Sequence, residues 1–135
     1  MTIALQYTNV TVNDVDESIA FYNGALGLDV QNYVASGDFR WVTLGSKEQP
    51  GLGIVLSEPH AGRSKQDGDT MQELLVKGVL PILVFRTDDL DSTFEKVRES
   101  GAEVLQEPID MGYARDCAFR DPSGNMVRIS QDPAA

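Results

Sequence analysis

Four side chains in this sequence are of types that do chemistry: Tyr7, His60, Cys117 and Arg128. Cys117 is the single cysteine, and a thiol becomes a nucleophile only beside a base that takes its proton. The single histidine, His60, sits in the polar run SEPHAGRS, so Cys117 reads as a buried strand thiol and His60 as a solvated loop residue. Tyr7 has the chemistry of a general acid, and Arg128 that of a stabiliser for an enolate or oxyanion. No titratable base stands at a recognisable spacing from a nucleophile. Binding uses the same kinds of side chain differently. Trp41 offers a flat surface for stacking an aromatic molecule, and Arg128 offers paired donors to an anionic or carbonyl-bearing one. Each also has a purely structural use, Trp41 as core and Arg128 as partner of a neighbouring acid.

The elements that must position these residues come twice. QYTNVTVNDVDESIAFY, residues 6 to 22, shares its grammar with PILVFRTDDLDSTFEKV further on. Asp14 maps onto Asp89, Val15 onto Leu90, Ser18 onto Thr93 and Ile19 onto Phe94, each at an offset of 75. In the first copy Asp14 is a candidate N-cap, with Glu17 three residues on as in a capping box. Val15, Ile19, Tyr22 and Leu26 then lay one apolar stripe along a helix, and Gly27 ends it. In the second, Asp89 caps, Leu90, Phe94 and Val97 form the stripe, and Gly101 closes it.

Short extended runs follow each helix: LDVQNYV, FRWVTLG and LGIVLS in the first half, AEVLQ, RDCAFR and NMVRIS in the second. Turn chemistry separates them, with Pro50 and Gly51 in one and DPSG in another. Each half therefore reads β-α-β-β-β, and the fold class is α+β, two tandem βαβββ modules. The expected organisation is one domain over 1–135, with module one at 3–58, a linker at 59–78 and module two at 79–131. The linker stretch EPHAGRSKQDGDTMQELLVK is read as charged and Gly-containing, with one helical turn over Met71–Leu75. A four-stranded sheet with one helix leaves its other face bare, so the two halves must cover each other or a second copy and enclose a cleft.

Alternation along each strand sorts side chains between helix and cleft. Val10 and Val12 go to the helix, and Tyr7, Asn9 and Thr11 to the cleft. Leu83 and Phe85 go to the helix, and Ile82, Val84 and Arg86 to the cleft. Ile54 and Leu56 pack, leaving Gly53, Val55 and Ser57 inward; Val127 and Ile129 pack, leaving Met126, Arg128 and Ser130 inward.

Composition bounds the partners. The net charge of −10, from 21 acids against 11 bases, argues against nucleic acid, whose phosphates need a basic stripe. No apolar stretch approaches the roughly 20 residues that span a bilayer, and no leader-like start is present, so a cytoplasmic location without membrane attachment is expected. A lone cysteine agrees with a reducing compartment.

The elements V-x-D-x-x-x-S-x-x-F-Y (Val12 to Tyr22), R-T-D-D-L-D with E-x-V-x-x-x-G-A (Arg86 to Ala102) and F-R-D-P-S-G-N (Phe119 to Asn125) carry a family resemblance. In order and spacing they resemble the glyoxalase, bleomycin-resistance and extradiol dioxygenase superfamily, the vicinal oxygen chelate proteins. The resemblance implies a cleft that, in the enzymes, holds one divalent metal on four side chains, commonly histidines and glutamates. Matching the motifs puts those four positions at Tyr7, Val55, Ile82 and Arg128. None has the usual ligand, two are aliphatic and one is a cation that would repel a metal.

The resemblance and the residues together point to a member without metal or cofactor, binding a small hydrophobic or aromatic molecule in the cleft, as in drug sequestration and antibiotic resistance. The candidate binding residues are Tyr7, Asn9, Phe39, Trp41, Val55, Ile82, Tyr113, Met126 and Arg128, with no catalytic residue among them. The alternative is a lyase, isomerase or dioxygenase-like enzyme of the same fold acting on a small carbonyl or aromatic substrate. The resemblance also implies a homodimer, with modules paired within the chain or across the dimer.

Overall fold

The computed structural model describes residues 2–133. Its strands are β1 (Tyr7–Thr11), β2 (Asp29–Ser36), β3 (Phe39–Gly45), β4 (Gly53–Ser57), β5 (Leu83–Arg86), β6 (Glu103–Asp110), β7 (Arg115–Arg120) and β8 (Met126–Gln131). Its helices are α1 (Val15–Ile19), which runs on as a wider π turn over Ala20–Ala25, then α2 (Lys65–Lys77) and α3 (Leu90–Glu99). The strands make two four-stranded sheets of the same order, β1-β4-β3-β2 and β5-β8-β7-β6. In each the first and last strands of the module run parallel and the other pairs antiparallel. The duplicated βαβββ reading is thus the observed fold.

The helix signals work as their chemistry requires. Asp14 and Asp89 sit in extended backbone, and their carboxylates accept from the N–H of Glu17 and Ser92. Gly27 and Gly101 follow the helices at φ of 79° and 93°, conformations a Cβ disfavours. Val15, Tyr22, Leu90, Phe94 and Val97 are buried, as the stripes predict, while the π turn also brings Phe21 and Ala25 inside. The helix faces of both sheets feed one core, in which Val10, Val12, Val42 and Leu56 from module one join Phe119, Val127 and Ile129 from module two.

The linker differs from expectation. Instead of one turn, α2 has 13 residues, capped by Ser64, whose hydroxyl accepts from the Asp67 N–H, and closed by Gly78. Gly68 and the charged run masked it, since both weaken a helical pattern read from propensity. Burial of Leu75 anchors it instead, beside the β7–β8 turn, where a Cβ on Gly124 would stand 2.8 Å from the Leu75 carbonyl. Tertiary packing has overridden local preference.

That turn is the FRDPSGN stretch, and it ties the modules together. Asp121, buried, accepts through Oδ1 from the N–H groups of Ser123, Gly124 and Asn125 at 2.9 Å each. Through Oδ2 it accepts from Tyr22 Oη at 2.7 Å and Asn125 Nδ2 at 2.9 Å. Asn125 Nδ2 also donates to the Thr11 carbonyl at 2.8 Å, and the Asn13 N–H donates to Ser123 Oγ at 2.8 Å. The motif is therefore a hydrogen-bonded clasp from module two onto the end of β1 and the π turn.

Candidate functional site

Residues opposite each other in register share a face, so the ladders fix which side chains stand together. On the face of sheet one turned from α1, Asn9, Val55, Thr43 and Asn32 make one row, and Thr11, Ser57, Trp41 and Val34 the next. Tyr7 lies in the row of Gly53 and Gly45, and its ring stands over Gly53, with Cδ1 3.5 Å from where a Gly53 Cβ would be, while the Gln31 side chain covers Gly45. Thr11, Thr43 and Ser57 are buried on this face, and Trp41 is half-buried at its centre rather than sunk in the core. Phe39 begins β3 at the rim, half-buried and opposite Ser36.

On the matching face of sheet two, Val84, Arg128, Ala118 and Gln106 form a row, and Arg86, Ser130, Asp116 and Ile109 the next. Ile82 precedes β5 and is exposed, and Met126 is half-buried. Tyr113 sits in the β6–β7 hairpin, 74% exposed. The predicted residues thus fall into two groups, one on each sheet, with Tyr113 apart at a hairpin tip.

Arg128 has the neighbouring acid that its structural use requires, Asp116. Its Nε donates to Asp116 Oδ2 at 3.3 Å, and its Nη2 to Asp116 Oδ1 at 2.6 Å and Gln106 Oε1 at 3.0 Å. Gln106 Nε2 in turn donates to the Asp116 carbonyl and carboxylate at 3.2 and 3.3 Å. The Asp116 side chain is only 8% exposed and that of Arg128 25%, so the pair is largely withdrawn from water. The acid of this pair and the glutamine were missed in sequence reading. Asp116 lies inside RDCAFR, two positions from the row of Arg128, and alternation alone would have placed it inward.

Three of the four positions matched to a metal site hold the wrong kind of group, and the fourth, Tyr7, is a lone phenol oxygen. Val55 and Ile82 carry no lone pair, and Arg128 carries a positive charge already bonded to its own acid. Among the described residues no group of three or more His, Cys, Asp or Glu gathers to hold an ion.

The other reactive groups have structural partners. Cys117 is fully buried, and burial first, then Asp116, pushes its thiol up to about 11, the opposite of activation. His60 Nε2 lies 2.8 Å from Asp69 Oδ1, and Asp69 also receives Lys65 Nζ at 2.9 Å. Lys65 first and His60 second hold the Asp69 carboxyl below its ordinary value. The His60 ring packs against Gly68 of α2, away from the sheet faces.

β1 and β5 are both edge strands, and the space between them is a groove of about 480 Å³ lined by Leu5, Asn9, Ile54, Met71, Ile82 and Phe85 among others. Gly53 N–H donates to the Gln6 carbonyl, Val12 N–H to Ser57 and Thr87 N–H to Ser130. By alternation the backbone groups of Asn9 and Val84 then point away from β4 and β8, toward this seam. Of the predicted site residues, Asn9 and Ile82 line the groove.

Comparison with known proteins follows the architecture. Residues 4–129 match the model of the Glyoxalase/Bleomycin resistance protein/Dioxygenase superfamily. The uncharacterized protein YurT of Bacillus subtilis (strain 168) is 29% identical over 124 residues, covering 92% of this chain and 95% of its own. The crystal structure of UcmS2 superposes with a TM-score of 0.87 at 30% identity, covering 96% of this chain and 98% of that one. TnmS3, an antibiotic binding protein from Streptomyces sp. CB03234, superposes with a TM-score of 0.77 at 25% identity, covering 98% and 99%.

Proposed function

Because the chain belongs to the glyoxalase/bleomycin resistance protein/dioxygenase superfamily, we propose that it uses the family's cleft to bind a small organic molecule, hydrophobic or aromatic, without a metal. The observation that carries this reading is the fate of the fourth metal-type position, where Arg128 is bonded to Asp116 and Gln106. Val55 and Ile82 extend the argument, since they turn two further positions into apolar wall. Tyr7, Asn9 and Trp41 supply aromatic surface and neutral hydrogen-bonding groups on the bare face of sheet one. The antibiotic-binding description of TnmS3, structurally similar over nearly its whole length, supports sequestration of a toxic small molecule as the role.

The cleft in this proposal is completed by a second copy of the chain. Tyr7 on β1, Val84 on β5 and Ile82 just before β5 are 49%, 65% and 53% exposed, apolar surface that a homodimer would cover.

The test is elemental analysis of protein incubated with Ni, Mn, Fe and Zn in turn and desalted, followed by a ligand screen reading the single tryptophan, Trp41. Metal below a tenth of stoichiometry with saturable quenching supports the proposal. Retained stoichiometric metal contradicts it. A second reading, an enzyme working without that metal, draws on the half-exposed Tyr7 as general acid. Turnover that survives chelators and is lost in Tyr7→Phe would favour it.

A further inference from the structure

The hydrogen bonds of Arg128 use some of its donors and leave others. A guanidinium has five N–H donors. Three of them, on Nε and Nη2, go to Asp116 and Gln106. Nη1 has no oxygen acceptor among the described residues; its recorded neighbour is Met126 Sδ at 3.8 Å, a weak acceptor. The group therefore keeps an unused donor on the bare face of sheet two, while its charge is cancelled at 2.6 Å by a buried carboxylate.

The remaining charges on this face do not restore an anion site. Arg120 Nη1 is committed to the Gly78 and Gly124 carbonyls at 3.3 and 2.9 Å. Arg86, one row away, is exposed, where water and salt screen it. The polar groups on the bare face of sheet one, Tyr7, Asn9, Thr43 and Ser57, are hydroxyls and an amide. The chain as a whole carries −10.

We propose that the cleft selects neutral aromatic molecules bearing a carbonyl over anionic ones of the same shape, with Arg128 Nη1 donating to the carbonyl and Asp116 setting the preference. The proposal rests on the cleft-binding reading above. An incoming carboxylate would surrender its hydration to meet a cation that Asp116 has already neutralised, and would lie close to that second carboxylate. A ketone accepts a hydrogen bond from the charged donor without that desolvation.

The probes are 2-acetonaphthone and 2-naphthoate, which share a ring system and differ in a methyl ketone against a carboxylate. Both are titrated by calorimetry in EDTA-containing buffer into the wild type, Asp116→Asn and Arg128→Met. The expected result is ketone binding about tenfold tighter than carboxylate in the wild type. Asp116→Asn reverses the order, because it leaves Arg128 as an uncompensated cation, and Arg128→Met removes the ketone's advantage. Should Asp116→Asn fail to fold, the wild-type ratio with Arg128→Met decides alone. Naphthoate binding as tightly as the ketone in the wild type overturns the selectivity while leaving cleft binding intact. Binding of neither probe overturns the cleft reading and this proposal with it.

Discussion

The Tyr22 hydroxyl donates to Asp121 Oδ2 at 2.7 Å, across 99 residues of sequence and from one module to the other. Asp121 is buried and Tyr22 is fully enclosed, so removing the donor leaves a desolvated carboxylate oxygen with one partner fewer. Tyr22→Phe is expected to destabilise by about 1–3 kcal/mol, the usual cost of such a loss. Asp121→Ala, which releases five donors, should cost more. Urea unfolding followed by circular dichroism reads both, with an unchanged m-value showing that the native contacts elsewhere persist.

The same pair gives the protein an alkaline limit. Burial, followed by the charge and hydrogen bond of Asp121, raises the Tyr22 pKa well above its ordinary value. Cys117 is likewise raised, to about 11. A group raised in the folded state contributes fully below its unfolded pKa, and that contribution fades as pH climbs through the folded one. Stability should thus be flat through neutral pH and fall from about pH 9, as unfolded thiol and then phenol ionise first. Thermal melts from pH 7 to 11 measure this, and Tyr22→Phe with Cys117→Ala should flatten the alkaline slope.

Gly68 lies inside α2 with the His60 ring where a Cβ would go. A mid-helix Gly→Ala change ordinarily stabilises by about 0.5–1 kcal/mol. Here that gain should vanish or reverse, because alanine displaces His60 from Asp69. In a His60→Ala background the gain should return. A double-mutant cycle by chemical denaturation separates the two outcomes.

For the proposed dimer, light scattering should give twice the chain mass of 14.8 kDa. Val84→Glu, which puts a charge on the exposed edge strand β5, should shift the population to monomer with its secondary structure intact. A wild-type monomer at micromolar concentration contradicts the shared cleft.

What the sequence made legible follows from where information is local. Helix caps at Asp14 and Asp89 and the strands FRWVTLG and RDCAFR rest on neighbours within a few positions, and the structure has them as read. Long-range partners were out of reach. DPSG is the tight reversal its residues predict, but that Asp121 and Asn125 also clasp Tyr22 and Thr11 is carried by no local pattern. Helix α2 was underestimated because Leu75 earns its burial from module two, which no local pattern records. For Arg128 the sequence offers a neighbouring acid as partner without naming it, because Asp116 is 12 residues away on the adjacent strand.

The most direct measurement of the central claim is the amide and indole NMR spectrum of EDTA-treated protein titrated with 2-acetonaphthone. The account predicts saturable shifts on the two sheet faces, at Asn9, Val55, Ala118, Arg128 and the Trp41 indole, with no metal added. Shifts confined to α2 and the His60 loop, or appearing only after a divalent metal is supplied, would contradict it.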